Sequence, residues 1–161
     1  MAARGKHRQL PLFDSVTLAY LAGLIDGEGC IGIYARKPTG TRRVEYHQLQ
    51  VIVGMGDAGP IEFMAEQTHS YGSLKYHKAT KTGHIYEVRL HGQRAAAFLE
   101  QVAPFLKGKR AQAELGIAFY HNCYFSKTNQ VVTAVELEQR RSYELALKEM
   151  KHAHTKEATH A

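Results

Sequence analysis

Hydrophobic and polar positions switch period several times along this chain, and each switch marks an element. A first helix is expected from Asp14-Ser15, both good N-caps, through Val16-Thr17-Leu18-Ala19-Tyr20-Leu21-Ala22-Gly23-Leu24-Ile25. It should stop in Asp26-Gly27-Glu28-Gly29, where two glycines break it. The next stretch, Cys30 to Lys37, alternates: Ile31, Ile33 and Ala35 on one side, Tyr34 and Arg36 on the other, the pattern of a half-buried strand. After a turn at Pro38-Thr39-Gly40, a second strand is expected from about Arg43 to Met55. Leu49, Val51, Val53 and Met55 would line one face, and Tyr46, Gln48, Gln50 and Ile52 the other.

Asp57-Ala58-Gly59-Pro60 reads as a helix entry, and Ile61, Met64, Ala65 and Thr68 supply that helix with a buried stripe. A second strand pair follows around 72–77 and 84–90, with Leu74, Tyr76, Tyr86, Val88 and Leu90 opposed to Ser73, Lys75, His77, Glu87 and Arg89. Helical patterns fill about 93–103, 109–121 and 133–151. The order is αββαββα with helical additions, an α+β layout with helices on one face of an antiparallel sheet. Nothing in the sequence covers the other face, which is rich in Gln, Tyr, Arg, Lys and His.

Composition narrows the choice of partner. The 161 residues are 44% hydrophobic, enough for one domain with a real core, and the net charge is +6. Residues 1–134 hold 16 basic and 10 acidic side chains while 135–161 hold five of each, so the excess belongs to the folded body. That favours a polyanionic partner, nucleic acid before membrane, since no basic amphipathic helix and no long apolar span occur. The basic N-terminus lacks the apolar stretch of a secretory signal, and Cys30 and Cys123 are expected as free thiols of an intracellular protein. Ten histidines show no zinc-ligand spacing, and His152, His154 and His160 are expected in solvent.

The chemistry concentrates in Leu21-Ala22-Gly23-Leu24-Ile25-Asp26-Gly27-Glu28-Gly29. Ala19, Ala22 and Gly23 are small, which lets two helix backbones approach below the usual ~8–10 Å. Two such ends, each with exposed carbonyls, about half a negative charge and an added carboxylate, would attract a hard divalent cation. At about 100° per residue, Asp26 and Glu28 lie about 200° apart and cannot do the same job. Glu28, beside the sheet face, is the expected metal ligand with Gly27 next to it; Asp26 is expected to order the helix end or the interface. Taken alone, residues 18–29 read as an ordinary buried helix ending at glycine, since core packing is the commoner use of such a stripe; what overturns that reading is the full nine-residue match to a known signature, followed by the alternating ribbon.

This motif resembles the signature of the LAGLIDADG homing endonucleases, and the resemblance spans roughly residues 14–121, with about 126–161 as a helical extension of the same domain. It implies the αββαββα fold and, because the motif occurs once, a homodimer whose motif helices meet on the two-fold axis through Leu18, Ala19, Ala22, Gly23 and Asp26. It implies Mg²⁺-dependent hydrolysis of both strands of a long pseudo-palindromic DNA target, leaving 3′ overhangs, with Mn²⁺ able to substitute and Ca²⁺ supporting binding alone. Asp57 matches a family position that orients water or metal, though a helix N-cap is its other reading. Lys109, in Pro104-Phe105-Leu106-Lys107-Gly108-Lys109-Arg110, matches the basic residue near the scissile phosphate, with Lys107 and Arg110 as competitors. One departure is Glu28, where the family usually has Asp.

Strand and duplex rise almost equally, about 3.3 Å per residue against about 3.4 Å per base pair, so a two-stranded ribbon can follow the major groove. Arg36 and Lys75 suit guanine edges, Gln48 and Gln50 adenine, Tyr34 and Ile52 thymine methyls or packing, and His77, Glu87 and Arg89 polar contacts. Arg42, Arg43, Lys78 and Lys81, in or near loops, suit phosphates. The rival expectation is a scaffold that binds nucleic acid without cutting it; intron RNA would be a partner if the chain acts as a maturase.

Overall fold

The structure is a computed structural model and describes residues 10–38, 45–70, 75–77, 85–123 and 132–159. The polar loops carrying Arg42, Arg43, Lys78 and Lys81 lie outside the described residues.

The elements follow the expected order. Helix α1 (Ser15–Glu28) leads into β1 (Gly29–Arg36) and β2 (Tyr46–Met55), then α2 (Ala58–Gln67), β3 (Lys75–His77) and β4 (Ile85–His91). Helices α3 (Gly92–Val102), α4 (Arg110–Cys123) and α5 (Ala134–Thr159) complete the chain, with a short 3-10 turn, Ala103–Phe105, between α3 and α4. The sheet is antiparallel with strand order β1-β2-β4-β3. Among the described residues no helix is long and apolar enough to cross a membrane.

Asp14 starts α1 as its N-cap, its Oδ1 accepting from the Val16 and Thr17 amides at 2.9 Å. The segment before it is tied to α3, because the Gln101 side chain accepts from Phe13 N and donates to Pro11 O. The inward stripe of α1, Leu21, Ala22 and Ile25, is buried against Ile31 and Ile33 of β1, Leu49, Val51 and Val53 of β2, and Val88 and Leu90 of β4. Ile61, Met64 and Ala65 of α2, with Thr68 at its C-cap, are buried as their spacing predicts, and Phe98, Leu99 and Phe119 close the layer. All these helices lie on one face because that face of β1, β2 and β4 carries most of the buried apolar residues.

Helix α5 differs from its expected bounds: it runs to Thr159, not Lys151. It lies along edge strand β1 and helix α4. Leu147 is buried, Tyr143 meets Phe119 edge-on at 5.9 Å, and Asn122 donates to the Tyr143 hydroxyl at 2.8 Å. Glu144 reaches the buried imidazole of His47 at 3.0 Å, and Arg141 binds Glu45 at 3.2 Å. Residues 144, 147 and 151 share one helix face, so the face that docks α5 also carries Lys151.

Candidate functional site

The junction between α1 and β1 makes the site. Glu28 is the last helical residue, and Gly29 turns the chain directly into the sheet in an extended conformation, its amide still bonded to Ile25 O. A side chain at Gly29 would sit 2.7 Å from Ile25 O and 2.8 Å from Ile25 Cα, both backbone atoms that cannot swing away. Gly29→Ala should therefore force the helix end off the strand, costing about 1–3 kcal/mol by the usual measure of overpacking. Urea unfolding would register it, and unchanged stability would show that the junction yields freely.

Asp26 and Glu28 have the different surroundings that their angular spacing predicts. Asp26 turns into its own chain, where Oδ2 accepts from Lys107 N at 2.7 Å and Oδ1 from Lys109 N at 2.9 Å. Burial raises the Asp26 carboxyl, but these amides outweigh it and hold the group below its ordinary value of 3.8. Its carboxylate thus fixes the segment before α4 to the helix end, the first of the two roles expected for it. Because the folded form prefers the charged carboxylate, this contribution is complete above pH 3.8 and is lost as pH falls through the lowered value. Asp26→Ala should lower stability at neutral pH by roughly 2–3 kcal/mol, the loss of two charge-assisted hydrogen bonds. The deficit should shrink in acid unfolding curves below pH 4; a deficit independent of pH would refute this account.

The segment that Asp26 anchors carries Lys109. Its ammonium bends back onto the end of α1, donating to Ile25 O at 2.9 Å and Asp26 O at 2.8 Å. Burial lowers the Lys109 pKa, opposed by the charges of Asp26, Cys30 and Glu28. Lys107 and Arg110 are exposed instead, and Arg110 pairs with Glu114 at 2.9 Å. Of the three basic candidates, Lys109 is the one brought to the helix end.

Glu28 is exposed and, among the described residues, makes no hydrogen bond or ion pair. Among the described residues no cluster of three His, Cys, Asp or Glu side chains forms a metal cage. A lone exposed carboxylate beside helix-end carbonyls suits Mg²⁺, which takes one or two carboxylates together with substrate phosphates, and not a structural Zn²⁺. Asp57 follows β2 at the same end of the sheet, since Gly29 pairs with Val53. It is the N-cap of α2, with Oδ1 accepting from Gly59 N at 3.0 Å and Oδ2 without a partner among the described residues.

Beside this centre the outward sheet face forms rows set by strand register. Cys30, Ile52 and Arg89 lie side by side; Gly32, Gln50 and His91 form the next row; Tyr34 stands opposite Gln48. Lys75 is opposite Glu87 and His77 opposite Ile85. Arg36 is exposed at the end of β1. Of the expected base readers, Tyr34 takes its packing role and Gln50 differs from expectation. The Tyr34 ring folds over Gly32, where an added Cβ would lie 2.5 Å from the ring, and its hydroxyl reaches Cys30 Sγ at 3.5 Å. Burial, then the contact with Cys30, pushes the Tyr34 pKa up to about 12, so its hydroxyl stays protonated. Gln50, opposite that glycine, is 2% exposed, and its amide turns along its own strand to Gln48 Oε1 at 3.3 Å. Gln50 is therefore removed from the reading surface because the neighbouring ring fills the space above the glycine. Arg89 is paired with Glu87 through both guanidinium and carboxylate groups.

The opposite side of α1 faces solvent among the described residues, apart from the edge-on contact of the Tyr20 ring with Phe63 at 5.1 Å. Val16, Ala19, Tyr20, Gly23 and Gly27 are exposed, and a Cβ at Gly23 or Gly27 would meet nothing within 4 Å. Ala22 is only 1% exposed and packs into its own core, so it cannot serve the interface assigned to it, and Leu18 is partly buried against that core. Small residues at 22 and 23 look alike in sequence, but one step of the helix puts them on different faces.

No protein-family profile matches the chain, and no curated protein matches it. Solved structures do match. The homing endonuclease I-CvuI, in complex with its target in the presence of Ca, superposes with a TM-score of 0.63 at 19% identity, covering 84% of this chain and 82% of that one. The same endonuclease has also been solved with Mg. An archaeal intron-encoded homing endonuclease complexed with DNA gives 0.61 at 14% identity over 84% of each chain. The LAGLIDADG homing endonuclease I-GzeII, in complex with a DNA target, gives 0.56 at 16% identity over 79% of this chain and 43% of that one. This chain has the LAGLIDADG homing-endonuclease fold. Here the motif residues 21–29 end α1 and open β1.

Sequence reasoning missed one residue near the centre. Lys151 donates to Cys30 Sγ at 3.2 Å, although 121 positions separate the two. The one sequence signal was Leu147, an apolar residue one turn earlier on the same helix face.

Proposed function

We propose that this protein is a homodimeric, divalent-metal-dependent DNA endonuclease that cuts both strands of a long, near-palindromic site. The observation that carries this reading is the end of α1: an unpaired, exposed Glu28 with Lys109 folded onto the same helix terminus, on the fold shared with DNA-bound homing endonucleases. The exposed stripe Val16, Ala19, Gly23 and Gly27 supports a second copy packing against α1, which would bring two Glu28 residues together.

In such a dimer, Glu28 and the Gly27 carbonyl of each protomer would hold Mg²⁺ together with oxygens of the DNA backbone. The bound cation would supply Lewis-acid stabilisation of the phosphate and ease deprotonation of a water. Lys109 would add positive charge where the phosphate gains negative charge. Asp57, with one oxygen committed to its cap, would orient water through the other. The products would be a 5′ phosphate and a 3′ hydroxyl, in the short 3′ overhangs of the family. Gln48, Ile52, Tyr34, Arg36 and Arg89 would face the major groove, with Lys75, His77 and Glu87 further along the sheet.

Incubating the protein with a library of duplexes in Mg²⁺, beside a Ca²⁺ control, tests this reading. Site-specific breaks in Mg²⁺ and binding without breaks in Ca²⁺ are expected. Binding without breaks in either would turn the reading to a cleavage-deficient scaffold, and salt-insensitive or absent affinity would refute nucleic-acid binding altogether.

A further inference from the structure

Helix α5 brings a second ammonium group to the centre from the far end of the chain. Lys151 lies on the docking face of α5, seven residues beyond Glu144 and four beyond the buried Leu147. It is only partly exposed, and its Nζ reaches the outward-facing Cys30, two residues after Glu28. An outward position on α5 would have left this charge in bulk water; docking turns it instead over the edge of β1 towards the reading face. An anionic phosphate oxygen is a strong acceptor for an ammonium, and a DNA backbone passing beside Cys30 would come within reach of Lys151. Lys109 approaches the same helix end from α4. The two cations act on one another, Lys151 helping to depress Lys109 after the larger effect of burial. Two like charges held at one helix terminus repel, and an anion between them removes that cost.

We propose that Lys151 is a second phosphate-binding residue of this centre, contacting the DNA backbone beside the bond to be cut. The inference rests on the endonuclease reading above and gives the C-terminal helix a function: α5 is docked by Leu147 and the Glu144–His47 contact so that Lys151 reaches the strand.

Its test uses Lys151→Met, which keeps an unbranched stem to cover the edge of β1 without the charge, and Lys151→Arg, which restores the charge. Affinity for a mixed-sequence duplex of about 30 base pairs, in Ca²⁺ across a salt series, gives the number of phosphates neutralised. Lys151→Met should flatten the slope of log affinity against log salt by about 0.9 per protomer, and Lys151→Arg should restore it. On any duplex the wild-type protein cuts in Mg²⁺, the single-turnover rate of the Met variant should fall on the order of 10²-fold, with most of it recovered by Arg. An unchanged slope in Lys151→Met overturns the inference even if the rate falls, since a merely structural lysine would behave that way. Wild-type protein without salt-dependent DNA affinity overturns the endonuclease reading and this inference with it, whereas wild-type binding with an unchanged Met slope overturns the inference alone.

Discussion

Glu28→Gln is expected to lower the cleavage rate by on the order of 10³-fold or more, about 4 kcal/mol of barrier, while leaving DNA binding intact. The substitution keeps the length of the side chain and removes its charge. Since Glu28 is exposed and makes no hydrogen bond or ion pair among the described residues, the fold has no stake in that charge. Removing a carboxylate beside DNA also removes a repulsion, so affinity in Ca²⁺-free buffer should hold or rise slightly. Single-turnover cleavage and a binding titration on the same duplex separate the two effects. Cleavage at the wild-type rate would end the role given to Glu28; loss of binding together with cleavage would mean a structural one. Glu28→Asp, which has the family's usual acid, should keep measurable cleavage.

Gly23→Gln should split the protein into stable, inactive monomers. A Cβ at Gly23 meets nothing within 4 Å, so the single chain accommodates the side chain, and replacing a helical glycine should raise monomer stability by about 0.5–1 kcal/mol. Where two copies of α1 pack closely, the same amide is buried without a partner. That costs about 2 kcal/mol for each protomer. The symmetric pair then loses about 4 kcal/mol, a factor on the order of 10³ in the dimer dissociation constant. Analytical ultracentrifugation beside thermal unfolding reads both halves. A dimer that persists would move the interface off this face of α1, and a fall in the monomer's melting temperature would show that the face is not open.

These two experiments probe features that differ in how far the amino-acid order reveals them. The separate duties of Asp26 and Glu28 follow from about 100° per residue along a helix, a local rule that needs no tertiary knowledge. So do the buried stripe of α2 and the Asp14 and Asp57 caps, each set by neighbours within four positions. The duty of Asp26 itself was not legible, because its partners are the amides of Lys107 and Lys109, more than eighty positions away. Nor was the loss of Gln50 from the outward face. Alternation put it outside correctly, but only the Tyr34 ring lying over Gly32 decides that an outward side chain is covered.

Period and punctuation in the sequence were thus sufficient for the αββαββα order, the antiparallel sheet, the motif helix and the acid at its end. These depend on short-range sterics and on which side of a helix or strand is apolar, and both are properties of local order. What tertiary packing alone decided is which small residue of α1 faces solvent, which lysine reaches the helix terminus, and that a C-terminal helix, neutral in its charge count, brings Lys151 to Cys30. Those outcomes depend on distances between segments far apart in the chain, and such distances are set by how the layers close over a common core.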